Sequence, residues 1–189
     1  LYGDTGADTL IGGNDNDFLS GLGGNDLIFG NDGHDMLLGG FGNDELDAGS
    51  GDDEVFGHGG DDRLIGGTGN DLIGGGDGED DIDGGDGADE LYGGNNADRI
   101  VAGNGDDLVA GQAGSDDLDG GSGDDTVSGS NGNDLIRGGA GNDVLRGGDQ
   151  NDRIFGEDGN DQLFGDHGLD ALVGGTNGND VLTGGADSD

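Results

Sequence analysis

Gly39-Gly40-Phe41-Gly42-Asn43-Asp44-Glu45-Leu46-Asp47 carries a frame into which nearly every other residue of the chain falls. Gly120-Gly121-Ser122-Gly123-Asp124-Asp125-Thr126-Val127-Ser128 has the same glycines, the same sixth-position Asp and an aliphatic eighth residue. Counting from Gly3, nonapeptides run without a gap to Val173, which makes nineteen units. The sixth residue is Asp in all nineteen, and the eighth is Leu, Ile or Val in all nineteen. Gly holds the first position except at Ala48 and Ala102, and the fourth except at Asp15, Asn96 and Gln150. Gly174 to Thr183 forms a ten-residue unit, with Thr176 or Asn177 as the extra residue and with Asp180 and Leu182 in the expected places. Residues 1–189 are thus expected to form one continuous repeat domain whose two ends both fall within a repeat.

Composition without this order would describe a disordered acidic tract. Among 189 residues there are 52 Gly, 44 acids and only 5 basic residues, for a formal charge of -39. All the basic residues are Arg, and only five of the acids are Glu. That preference for the shorter carboxylate suits groups that must reach back to their own tight turn. With no Cys there are no disulfides and no thiolate metal sites. Neither a secretory leader nor an apolar stretch long enough to span a bilayer is expected. The negative charge argues against nucleic acid and anionic membranes as partners.

The pattern G-G-x-G-x-D-x-U-x, carried by nearly the whole chain, resembles the repeat of the RTX (repeats-in-toxin) calcium-binding family. The resemblance implies a right-handed parallel β-roll.

From the residues themselves, each unit reads as a six-residue turn followed by a three-residue strand. Strand alternation sends the invariant aliphatic eighth residue inward and the variable seventh and ninth outward. Two units make an 18-residue coil with a strand on each side and a turn at each edge. The chain is therefore expected to be all-β, a two-sided parallel solenoid about 45 Å long at ~4.8 Å per coil.

Stacking would gather the sixth-position aspartates into two columns. One holds Asp8, Asp26, Asp44, Asp62, Asp80, Asp98, Asp116, Asp134, Asp152, Asp170 and, beyond the ten-residue unit, Asp189. The other holds Asp17, Asp35, Asp53, Asp71, Asp89, Asp107, Asp125, Asp143, Asp161 and Asp180. Carboxylates ~5 Å apart repel by ~1 kcal/mol in water and ~3 kcal/mol at an effective dielectric near 20. A hard divalent cation between successive turns turns that repulsion into attraction, and an all-oxygen site suits Ca²⁺ better than Mg²⁺. One ion per stacked pair of the nineteen units gives seventeen ions, or +34 against the formal -39. The resemblance implies that turn carbonyls complete each shell, without specifying which. Some twenty inward aliphatics are a thin core for 189 residues, so calcium binding is expected to drive folding. At Asp15, Asn96 and Gln150 the turn is expected to tolerate a side chain, with at most a loss of affinity.

The outer faces differ. On the odd-unit face the seventh positions run Glu45, Arg63, Asp81, Arg99, Asp117, alternating in sign, and the ninth-position Asp119 precedes Arg137. The even-unit face is more apolar, with Phe18, Met36, Leu38, Phe56, Leu72, Tyr92 and Leu108, a candidate packing surface. Outward Thr are confined to Thr9, Thr126 and Thr183, too few for an ice-binding array. Catalysis is not expected. His34, His58 and His167 lie at different turn positions without a zinc motif, and acid pairs such as Asp52-Asp53 recur with the repeat. The Glu that closes an EF-hand loop is missing. The leading expectation is a stiff structural module of a secreted or surface protein, such as a surface layer, adhesin or filament. The alternative is an accessory secretion and folding domain of an RTX enzyme or toxin whose active part lies elsewhere. Resemblance implies type I secretion and folding outside the cell. Expected partners besides Ca²⁺ are flanking domains or other copies, through the ends or the apolar face.

Overall fold

The computed structural model describes residues 1–186, so Asp189 of the expected metal set lies outside the described residues. All regular structure among those residues is strand. Twenty strands follow one another from β1 (Thr9–Gly13) and β2 (Phe18–Gly23) to β19 (Ala171–Asn177) and β20 (Val181–Thr183). Odd-numbered strands form one ten-stranded sheet and even-numbered strands the other, each in sequence order. Every strand pairing is parallel, and residue i lies opposite residue i+18, as Leu46 does with Leu64 and Leu91 with Val109, until the last coil, where Leu163 lies opposite Leu182. The expected two-sided solenoid of 18-residue coils is therefore the architecture found.

Most strands are twice the expected length. Glu45–Ser50 takes the seventh to ninth residues of one unit and the first three of the next. The cause is a second inward position. In that strand Leu46 and Ala48 are both fully buried, so alternation continues across the unit boundary. A first residue no larger than Ala lets the ladder run on, and only the fourth to sixth residues remain for the turn.

Between the sheets the eighth-position side chains form one apolar column from Leu10 to Leu163, with Leu172 packed partly against it. Each contributes about 1.5–3 kcal/mol on burial. A coil meets only the coils above and below it, so this core has length but little depth.

Turn geometry accounts for the glycine at the fourth position. Gly42 has φ 120°, and a Cβ there would lie 2.0 Å from the carbonyl oxygen of Gly24 in the preceding coil. Two of the three exceptions, Asn96 and Gln150, hold left-handed φ of 80° and 86°. All three exceptions are exposed, so the turn directs the extra side chain to solvent. The ten-residue unit is absorbed by a shift in pairing beside Glu157 and Asp158.

Candidate metal centres

Each sixth-position Asp sits where a turn meets a strand, and its two carboxylate oxygens have different surroundings. Oδ1 is tied to the coil before it. The N–H of Asp26 donates to Oδ1 of Asp44 at 2.7 Å, and the N–H of Asp44 donates to Oδ1 of Asp62 at 2.8 Å. The backbone carbonyl of Asp26 accepts from the N–H of Glu45 at 2.9 Å. Similar links run down the other column, from Asp17 to Asp35 Oδ1 at 2.8 Å and onward to Asp161 and Asp180 Oδ1 at 3.1 Å. Sequence spacing placed these residues in two columns, and the structure brings them together there.

Oδ2 is turned inward. From Asp26 to Asp161, at every ninth residue, the aspartates are only 0–3 % exposed. In each of these sixteen, Oδ2 is buried and accepts no hydrogen bond. Asp8, Asp17, Asp170 and Asp180, nearer the ends of the stack, are half-buried. A buried carboxylate oxygen with no donor is costly unless a cation or a proton compensates it.

Burial pushes these carboxyls upward. Asp62 is raised from 3.8 to about 7 by desolvation, opposed by the N–H of Asp44 and reinforced by the charges of Asp80 and Asp44. Desolvation likewise lifts Asp71, Asp98 and Asp152 to about 7. Asp80, Asp107, Asp116, Asp125 and Asp143 rise to about 6.

The donor set suits a hard cation. At Gly39, the position that a Cβ would take lies 2.5 Å from Oδ2 of Asp44 and 2.9 Å from the carbonyl oxygen of Gly57 in the next coil. Carboxylate and carbonyl oxygens thus converge on a space that only glycine leaves open. Among the described residues no three carboxylate or imidazole groups cluster. An ion here would draw on backbone carbonyls as well as on carboxylates. Such a set fits Ca²⁺, which accepts six to eight mixed oxygen ligands.

A second ladder, not anticipated from the repeat frame, runs through the fifth position. Asn43 N–H donates to Asn25 Oδ1 at 3.1 Å, Asp61 N–H to Asn43 Oδ1 at 3.2 Å, and Glu79 N–H to Asp61 Oδ1 at 3.0 Å. These exposed side chains form an outer ladder parallel to the buried one. Its signal was available: twelve of the nineteen units carry Asn or Asp there. His34 belongs to the same ladder, its Nδ1 accepting from Asp52 N–H at 2.8 Å.

On the odd-strand sheet, Arg63 pairs with Glu45 at 3.0 Å and Arg99 with Asp81 at 2.8 Å, following the expected alternation. Arg137 departs from it. Asp119 lies opposite Arg137 in register, yet the guanidinium bonds Asp117 at 2.6 Å. An Arg side chain is long enough to lean along its strand to the diagonal neighbour.

Fold and turns together define a parallel β-solenoid whose coils are joined through two columns of inward-facing aspartates. The chain belongs to the family of the RTX calcium-binding nonapeptide repeat, whose four-copy pattern matches in overlapping stretches from residues 2–37 and 29–64 to 146–176 and 175–189. No curated protein matches it. Family membership implies Ca²⁺ as the ligand and a structural rather than catalytic repeat. Proteins that carry such repeats are typically secreted by bacteria. Among the described residues no helix is long and apolar enough to cross a membrane.

Proposed function

We propose that the chain is a calcium-driven structural module of a secreted or surface protein, disordered where Ca²⁺ is scarce and rigid where it is plentiful. The sixteen buried Oδ2 atoms without a hydrogen bond carry this reading. Sixth-position aspartates from Asp8 to Asp180 supply one carboxylate per turn, Asp189 extends the series, and backbone carbonyls of stacked turns complete each shell. About one ion per stacked pair brings the summed charge near neutrality. Inside a cell, at submicromolar Ca²⁺, the columns repel and the chain stays extended for export. Outside, ion binding supplies the folding free energy.

Far-UV circular dichroism of the chain, with millimolar Ca²⁺ and then with excess chelator, tests the coupling. Strand signal should form with Ca²⁺ and vanish with chelator. Signal that persists under chelator at neutral pH would falsify the proposal.

A further inference from the structure

The first position of the repeat demands glycine for space rather than for backbone angle. None of its glycines has left-handed φ. Yet at each one from Gly3 to Gly174, a Cβ built on the backbone falls 2.1–2.8 Å from Oδ2 of the same unit's aspartate. Real Cβ atoms essentially never approach a non-bonded atom that closely. Ala48 and Ala102 do place a methyl there, and both are fully buried.

The aspartates of these two units keep their outer bond. Asp35 N–H donates to Asp53 Oδ1 at 2.7 Å, and Asp89 N–H donates to Asp107 Oδ1 at 2.8 Å. The methyl must therefore be accommodated on the Oδ2 side, where the oxygens converge. A methyl cannot ligate, and it occupies volume that a carbonyl or water ligand would use. The fourth-position exceptions differ, because Asp15, Asn96 and Gln150 are exposed, whereas Ala48 and Ala102 are buried.

We infer that Ala48 and Ala102 make the turns of Asp53 and Asp107 the two weak calcium sites of the chain. This rests on the reading that the aspartate columns hold Ca²⁺. Both turns lie in the same column, three coils apart, so calcium leaves that column first at two fixed points. The other column, with glycine at every first position, holds its ions uniformly.

Calorimetric Ca²⁺ titration of the full chain, with stopped-flow release into excess chelator, provides the test. The native chain should show a minor class of two ions, about tenfold weaker and faster to leave than the rest. Ala48→Gly with Ala102→Gly should merge that class into the main one. Gly120→Ala should enlarge it by one ion. Neither Ala→Gly change threatens folding, since each restores the residue found in the neighbouring units. Persistence of the minor class in the double Ala→Gly variant overturns the inference. So does its loss in Asn96→Gly with Gln150→Gly instead, or a native chain that releases all its calcium in one phase. A chain that takes up no calcium at all overturns the functional reading as well.

Discussion

The backbone N–H of Asp80 donates to Oδ1 of Asp98, eighteen residues later, at 2.9 Å. One carboxylate oxygen is thus spent on holding two coils together, and only its twin remains for an ion. The two jobs separate cleanly by substitution.

At Asp62 the amide of Asn retains an acceptor for the Asp44 N–H and removes the charge. Asp62→Asn is expected to lose bound calcium, by one to two ions, and to weaken the calcium-bound roll through that loss alone. Asp62→Ala also orphans the Asp44 N–H, a buried donor worth about 1–3 kcal/mol. Calcium stoichiometry and urea unfolding, measured on both variants, check the ordering.

Acidity should act in opposite directions with and without calcium. The carboxyls of Asp62, Asp71, Asp98 and Asp152 stand at about 7 in the folded chain against 3.8 when exposed. The folded form therefore holds protons that the unfolded form releases. Stability from this source is complete below pH 3.8 and lost as pH rises through about 7. Under chelator, strand signal should grow as pH falls from 8 toward 4. In millimolar Ca²⁺ the high-pH state should be the ordered one, since ligation needs ionised carboxylates. Two dichroism titrations suffice, and parallel curves would contradict the expected opposition.

Gly42→Ala should destabilise the calcium-bound roll by at least about 1–2 kcal/mol, through a left-handed φ forced on a residue with a Cβ. The clash with the Gly24 carbonyl adds to that cost. Asn96→Gly is the mirror case, and a gain of up to about 1 kcal/mol is expected. Thermal unfolding in saturating Ca²⁺ reads both.

Ile100 is fully buried between the sheets. Ile100→Ala should cost about 2–5 kcal/mol. Because a coil meets only its neighbours, the loss should be local. Amide exchange should speed up in the strands around Arg99–Asn104 and leave those near Phe18–Gly23 nearly unchanged. Arg99→Ala, by contrast, removes an exposed pair with Asp81 and should move stability by less than about 1 kcal/mol.

Much of this was legible from two invariant columns of residues. Asp44 and Leu46, repeated through nineteen units, specify where the coils turn, which side chains face inward and which carboxylates stack. Strand length was not legible, because a first-position Gly looks like turn chemistry and only Ala48 and Ala102 betray that the site faces the core. The fifth-position ladder was hidden by its tolerance, since Ser, Ala and Glu interrupt the Asn and Asp. The partner of Arg137 depends on how a flexible side chain leans, and register alone names the wrong aspartate.

The pairing of residue i with i+18 also gives the chain a parity. Deleting one nonapeptide would carry every downstream strand to the opposite sheet, so that the Arg99 and Asp117 face would continue into what had been the Tyr92 and Leu108 face. Deleting two would shorten the rod by a single step and leave both faces intact. Inheritance by gene duplication can therefore adjust this molecule only in even increments if its two sides are to stay distinct.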